Sequence, residues 1–215
     1  MVRIVGGVTL VALAAGLVMA FGVAPREVTQ GNVQRIMYVH VPSVWVAYLA
    51  FAVVLVASIV YLARRVDVAD RLAHASAEVG VLFTGLTIAT GSIWGKPTWG
   101  TWWTWDARLT SVSILFVMYL GYLLLRGMIE DPDQGARYAA VLGIVAAFNI
   151  PLVHFSVYWW RTLHQPPSLM KPGPGTMPGV IVAALMVNFV AFSLLYVYFV
   201  AKRVNLLRRE AEAAA

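Results

Sequence analysis

The chain contains no cysteine and carries little charge. The absence of cysteine excludes disulfides, thiolate metal sites and thioether attachment of a prosthetic group. Only 12% of its 215 residues are charged, against about 25% in soluble domains. Hydrophobic residues make up 60% of the chain, and the mean hydropathy is +0.77. The composition therefore indicates an integral membrane protein.

Six stretches reach the roughly 20 apolar residues that a membrane helix needs. They predict an all-α polytopic protein forming one integral membrane domain over residues 1–215. Pro42 and Ser43 are predicted to start the second helix. The first stretch is longer than a signal-peptide core of about 7–15 residues, so we expect a retained helix. The predicted spans are residues 4–23, 44–63, 79–94, 109–125, 138–155 and 179–201.

The distribution of basic residues predicts the orientation. Counting Lys and Arg on alternate sides of the six spans gives ten on the side of both termini and six on the other. Positive residues are retained preferentially in the cytoplasm, so both termini are predicted to be cytoplasmic. The net charge of +6 then reflects membrane topology, and the spans argue against a nucleic-acid partner.

The segment WGKPTWGTWWTWDAR, residues 94–108, holds five of the eight tryptophans and lies between the third and fourth spans on the predicted outer face. An aromatic belt at the membrane interface explains one or two Trp per helix end, but not five. A helix over residues 98–106 would align Trp99, Trp102, Trp103 and Asp106 in one stripe. We therefore predict an interfacial helix that offers a flat apolar platform to a planar ligand, with Lys96 and Pro97 forming the turn before it.

Three of the four histidines fall on the same outer side, at positions 40, 154 and 164. Each alone is typical of a hydrogen-bonded structural histidine. Two opposed imidazoles can instead ligate a heme iron from both faces. Zn or Cu is a possible alternative, but no carboxylate or thiolate cluster accompanies them. His74 is predicted to be a solvated residue of a cytoplasmic loop.

Cations cluster on the same outer face, where lipid-headgroup contact is the simplest role for each. Arginine also pairs with carboxylates in a bidentate manner, and heme carries two propionates. Asp106 is predicted to orient an Arg, a Trp N–H or a helix start. Thr84, Thr87 and Thr90 are predicted to serve helix packing. The cations are Arg35, Lys96, Arg108, Arg161 and Lys171.

The tryptophan-rich stretch WGKPTWGTWWTWDARLTS resembles the "WWD" signature of heme-handling proteins of cytochrome c maturation. The segments GNVQRIMYVHVPSVW and NIPLVHFSVYWWRTLHQPP resemble the His-bearing segments that flank this signature in the heme exporter protein C (CcmC) family. Six spans and the chain length also suit this family better than its larger relatives. The resemblance covers most of the chain, from about residue 21 to 166.

The resemblance implies a protein of the bacterial cytoplasmic (inner) membrane that binds heme b non-covalently at its periplasmic face. The heme passes to a periplasmic covalent heme chaperone of the CcmE type, with ABC transporter subunits of the CcmA and CcmB types and a single-span CcmD-type subunit. The chain would then be a heme-binding and transfer subunit of a heme export complex in contact with membrane lipid, and not an enzyme.

The resemblance also assigns residue roles. The axial ligands of the heme iron fall on His40 and His164, with His154 as the reserve candidate, because the residues alone do not separate the last two. Tyr158 and Arg161 depart from the acidic residue and the Asn expected there, so the resemblance implies no carboxylate hydrogen bond to an axial His in this chain. The remaining heme-binding positions that match the family segments are Arg35, Trp99, Trp102, Trp103, Trp105, Asp106 and Arg108. Lys96 and Arg161 are predicted heme-binding residues only as cations of the same outer face that could pair with a propionate.

Two other functions stay open from sequence. A heme ligase would attach heme directly to apocytochrome, as the larger relatives do, but the chain is short for that role. A purely structural subunit of an ABC transporter would use its tryptophans as membrane anchors. The Pro- and Gly-rich loop over residues 165–178 is predicted to be a lid or partner-docking loop.

Overall fold

A computed structural model describes residues 2–166 and 177–214, and these residues form an all-α bundle. Lys171 and most of the predicted lid loop lie outside the described residues. Six helical segments are long and apolar enough to cross a membrane, which confirms the predicted number of spans. The helices are α1 (Val2–Val18, continued by a π-helical turn over Met19–Val23), α2 (Met37–Arg64, preceded by a 3-10 turn over Val33–Ile36), α3 (Asp67–Trp99), α4 (Ala107–Met128), α5 (Pro132–Ala147), α6 (Asn149–Trp159) and α7 (Gly179–Ala214).

The start of α2 differs from the prediction. Pro42 and Ser43 do not begin the helix, because α2 starts at Met37 and Pro42 lies inside it. Pro42 removes only the backbone bond that its missing N–H would have made to the Tyr38 carbonyl, and neighbouring groups in membrane helices compensate for such a loss. The Ser43 hydroxyl donates to the Val39 carbonyl at 2.7 Å. His40 consequently lies in the first turn of α2 and not before the helix.

The third helix is about twice as long as predicted. It extends from Asp67 to Trp99, so Lys96 and Pro97 belong to its last turns and do not form the predicted turn before residues 98–106. That turn is at Gly100, whose φ of +78° is a left-handed conformation that favours glycine. His74 also lies in α3 and not in the predicted loop. Its Nε2 is 3.2 Å from the carboxylate of Glu78, one turn further along the helix.

The fifth predicted span consists of two helices in sequence, α5 and α6, which meet at Phe148. Pro151 explains the interruption, because it has no N–H to donate to the Ala147 carbonyl one turn earlier. The sixth span is longer than predicted, since α7 continues beyond Ala201 to Ala214.

Helix α2 forms the centre of the bundle and packs against α3, α5 and α7. Its fully buried residues include Val46, Phe51 and Val54. The ring of Phe51 stacks on that of Tyr119 in α4, with the ring centroids 3.7 Å apart. Gly80 in α3 leaves room for Phe51, because a Cβ at that position would overlap the ring. These contacts bury a continuous apolar core within the membrane span.

Polar contacts also join pairs of helices. Arg126 in α4 donates two hydrogen bonds of 2.6 and 2.7 Å to the Asp70 carboxylate in α3. Asn188 in α7 donates to the Gly16 carbonyl in α1 at 3.2 Å. Helices α2 and α4 begin, and α3 and α6 end, at the same end of the bundle, which we call the cavity end.

Candidate functional site

A cavity opens at the cavity end among α2, α3 and α4. Both axial candidates, His40 and His164, line it. Trp99, Trp103 and Arg108 of the tryptophan-rich segment line the same cavity. The cavity therefore brings together predicted histidine, tryptophan and arginine residues that are far apart in the sequence.

His40 is held rigidly by the neighbouring helix α3. Its imidazole is buried, and its Nδ1 is 3.0 Å from the Thr90 hydroxyl oxygen. That hydroxyl donates its only proton to the Leu86 carbonyl at 2.7 Å, so it accepts a hydrogen bond from the His40 Nδ1–H. This arrangement selects the tautomer in which Nε2 carries a free lone pair.

His164 is held by a short irregular segment that follows α6. Its ring makes an edge contact with Trp99, with the ring centroids 4.7 Å apart, and its buried Nδ1 has no hydrogen-bond partner among the described residues. Burial lowers the pKa of His164 to about 4, and the positive charge of Arg108 acts in the same direction while the negative charge of Asp106 opposes it. His164 is therefore a neutral imidazole at pH 7, the form that ligates metals.

Asp106 connects the two loops of the site. One carboxylate oxygen accepts bonds from the Arg108 and Leu109 backbone N–H groups at 2.9 Å each and caps the start of α4. The other accepts the Leu163 N–H at 3.0 Å, next to His164 in the chain. The predicted role of Asp106 at a helix start is confirmed, and the bond to the His164 segment is an addition that sequence did not predict.

The predicted helix over residues 98–106 is wrong. Helix α3 ends at Trp99 because Gly100 turns the chain, and the chain stays irregular until the Asp106 cap. The tryptophans consequently divide into two groups instead of sharing one stripe. Trp99 and Trp103 line the cavity, whereas Trp102 and Trp105 are 57% and 75% exposed. The Trp103 ring N–H is buried without a partner among the described residues.

Four other predicted site residues do not line the cavity. The Arg35 guanidinium donates to the carbonyls of Ala20 and Ala24, which anchors the loop after α1. The Lys96 ammonium donates to the Gly100 carbonyl at 3.0 Å and closes the end of α3. Arg161 is exposed, and His154 makes an edge contact with Phe155.

Sequence reasoning missed several residues around the histidines. Thr90 orients His40, and Gly91 faces the same ring, with a Cβ there falling 3.0 Å from its Cε1 atom. Tyr48 and Thr87 line the deeper part of the cavity. The sequence predicts helix packing for these threonines, because small uncharged polar residues within membrane spans commonly serve it. Tyr48 was predictable, because it follows His40 by eight residues and such a spacing places both on one side of a helix.

The donor set is suited to one class of metal ligand. Among residues 2–166 and 177–214, no group of three or more His, Cys, Asp or Glu side chains could hold a bare metal ion. Two neutral imidazoles between apolar walls fit a metal that brings its own equatorial ligands, as heme iron does. The space open to water is about 90 Å³, below the ~300 Å³ of small ligand pockets, so a porphyrin requires the walls to separate.

Comparison with known proteins identifies the family. All 215 residues match the family model described as "CcmC: Heme exporter protein C". The heme exporter protein C of Bradyrhizobium diazoefficiens is 45% identical over 203 residues, which cover 94% of this chain and 77% of that protein. The Haemophilus influenzae protein of the same name is 40% identical over 206 residues, or 95% and 84% of the two chains.

The likeness extends to a eukaryotic organelle. A "putative cytochrome c biosynthesis ccmC-like mitochondrial protein" of Marchantia polymorpha is 36% identical over 187 residues, which cover 87% of this chain and 79% of that protein. The family match spans the helices of the bundle and the residues that line the cavity. The chain therefore belongs to the heme exporter protein C family.

Proposed function

We propose that this protein binds heme b non-covalently at its cavity end, on the periplasmic face of the bacterial inner membrane, and delivers it to a covalent heme chaperone. The observation that carries the proposal is the convergence of His40 and His164 on one tryptophan-lined cavity. Both histidines offer a neutral nitrogen, and the two belong to separate elements of the chain. Such a pair suits bis-imidazole ligation of an iron whose equatorial positions are already filled.

The unequal support of the two ligands favours delivery over storage. His40 lies on a membrane helix and is buried, whereas His164 lies on an irregular segment attached through the Leu163–Asp106 bond. Movement of this segment would widen the cavity for heme and would later expose one iron face to the chaperone. We infer that His40 stays fixed while His164 exchanges with the incoming ligand.

The exposed aromatic residues support a partner surface beside the cavity. Trp102, Trp105 and Trp159 are all more than half exposed. Exposed tryptophans are typical of protein interfaces and of the membrane interface. We propose that the chaperone docks here, that ABC transporter subunits and a small single-span subunit complete the complex, and that the chain itself performs no catalysis.

Chaperone loading in membranes tests this proposal. We expect His40→Ala and His164→Ala to abolish covalent heme on the chaperone, because each removes one side of the iron site. His74→Ala is the matched control, since His74 lies in α3 beside Glu78 and away from the cavity. Normal loading in both cavity variants, at normal protein levels, would contradict the proposed function.

A further inference from the structure

A second cavity lies at the end of the bundle opposite the cavity end, where α3 and α7 meet the start of α1. The space open to water in it is about 770 Å³, within the ~300–1,000 Å³ of ligand-binding pockets. It shares no residue with the cavity of the two histidines. We call it the basic groove and define it by six of its lining residues, which are Leu82, Phe199, Lys202, Arg203, Leu206 and Arg209.

The basic groove crosses the boundary between the apolar spans and the charged end of the bundle. Leu82 of α3 and Phe199 of α7 lie within the predicted spans, and the Leu82 side chain is exposed. Lys202 and Arg209 follow on the part of α7 that extends beyond the last predicted span. A phospholipid has the same division, because its charged headgroup lies above its apolar acyl chains. The shape and chemistry of the groove therefore suit an amphiphile of the adjoining membrane leaflet.

The helical period of α7 places the groove residues on one face. Phe199, Lys202, Leu206 and Arg209 are spaced by three, four and three residues, which keeps them within one stripe of an α-helix. Lys202 and Arg209 are seven residues apart, or about 10 Å along the helix axis. The two cations consequently lie in one row on either side of Leu206, where a single headgroup can contact both.

The charges that line the groove do not balance. Three cations and one carboxylate line it, and Arg203 uses its charge on two acidic side chains. Its Nε is 2.6 Å from the Glu78 carboxylate, and its Nη1 is 3.3 Å from that of Glu210. Within residues 2–166 and 177–214, Lys202 and Arg209 form no ion pair. Two cations beside apolar walls thus lack a counter-charge, and an anion that binds between them would supply it.

We propose that the basic groove binds an anionic phospholipid, with its phosphate between Lys202 and Arg209 and its acyl chains along Leu82 and Phe199. Basic pockets between membrane helices are typical of such lipids. A zwitterionic lipid fits less well, because its own ammonium group cancels the phosphate charge that the two cations require. The site is separate from the proposed heme site, so either proposal can fail without the other.

Native mass spectrometry of the purified full-length protein in detergent tests the groove, with phosphatidylglycerol and phosphatidylcholine of identical acyl chains as the probes. We expect the wild type to bind phosphatidylglycerol at least tenfold more tightly. Each cation near a membrane surface contributes about fivefold to the affinity for an anionic lipid, so Lys202→Gln/Arg209→Gln should weaken phosphatidylglycerol binding about 25-fold. Its affinity for phosphatidylcholine should stay the same.

Arg64→Gln/Arg208→Gln is the matched control, because it removes two exposed cations from the same end of the bundle that do not line the groove. It should bind both lipids as the wild type does. Equal wild-type affinity for the two lipids, or an equal loss in both double variants, would overturn the lipid site. Unchanged phosphatidylglycerol binding in Lys202→Gln/Arg209→Gln, with loss of a co-purifying subunit, would also overturn it and would identify an acidic protein segment as the occupant.

Discussion

His40 and His164 line the same cavity but are supported differently by the chain around them. His40 is buried in α2, and the Thr90 hydroxyl fixes its tautomer. His164 has no such partner for its Nδ1 among residues 2–166 and 177–214, and its ring makes an edge contact with Trp99. Under the proposed function, His40 would supply most of the affinity for heme, and His164 would exchange with the incoming ligand.

Gly91 provides a sharp test of the rigid ligand. A Cβ at this position would fall 3.0 Å from the His40 Cε1 atom, closer than nearly all real contacts, so Gly91→Ala should displace the imidazole. We expect heme affinity to fall at least tenfold while the protein remains folded, because the added methyl favours the helical backbone. The measurement is a heme titration beside a thermal melt in detergent.

Gly121→Ala is the control for Gly91→Ala, since Gly121 also lies in a membrane helix and nothing lies within 4 Å of the added methyl. It should melt at the same temperature as the wild type or higher, with unchanged heme affinity. Equal heme binding by Gly91→Ala and the wild type would mean that His40 does not need its present position.

The connection between α3 and α4 positions the tryptophans and the His164 segment together. Gly100 ends one helix and Asp106 caps the next, so the intervening residues cannot form the continuous aromatic stripe expected of a helix. Instead, the irregular chain turns Trp99 and Trp103 toward the cavity and leaves Trp102 and Trp105 exposed. The segment is thus part cavity wall and part exposed surface.

Comparing Asp106→Ala with a variant of another capping residue distinguishes the two roles of Asp106, which are to cap α4 and to hold the His164 segment. Asp106→Ala removes the cap of α4 and the bond to the Leu163 N–H, whereas Asp131→Ala removes an equivalent two-bond cap from α5 at the other end of the bundle. Each should cost about 1 kcal/mol of stability. Only Asp106→Ala should also weaken heme binding and speed hydrogen exchange at Leu163.

Two results with these capping variants would contradict the prediction. If Asp131→Ala weakens heme binding as much as Asp106→Ala, the effect is one of general stability. If Asp106→Ala leaves both the exchange rate of the Leu163 amide and the heme affinity unchanged, the bond between the two loops does not organise the site.

The six spans, the helix-start role of Asp106 and the family were predictable because each depends on residue type or local order. The composition fixes the number of apolar stretches, and an Asp before a helix is a local capping signal. The conformation of residues 98–106 was not predictable, because a glycine can continue a helix or end it according to tertiary contacts. The partners of Thr90 and Thr87 depend on how α2 and α3 pack, which a single sequence does not specify.

The bundle as a whole has two chemically different ends. The cavity end holds His40, His164 and the tryptophan-rich segment, and the opposite end holds ion pairs such as Asp70–Arg126 and Glu78–Arg203. The excess of basic residues at that second end predicts that it faces the cytoplasm. Heme handling would then take place on the periplasmic side.

The absence of cysteine makes this orientation directly measurable. Val28 in the loop before α2 is 99% exposed, and the Glu212 side chain near the end of α7 is 66% exposed. In intact spheroplasts, a membrane-impermeant maleimide should label Val28→Cys, and it should label Glu212→Cys only after permeabilisation. The reverse pattern would place the cavity in the cytoplasm and contradict the predicted topology.

The central claim is that one heme lies between His40 and His164, and the absorption spectrum of the purified full-length protein with ferric heme tests it most directly. We predict a low-spin bis-imidazole spectrum that is lost in His40→Ala and in His164→Ala. His154→Ala should retain it, because His154 does not line the cavity. A low-spin spectrum that persists in His40→Ala or His164→Ala, or that disappears in His154→Ala, would contradict the account.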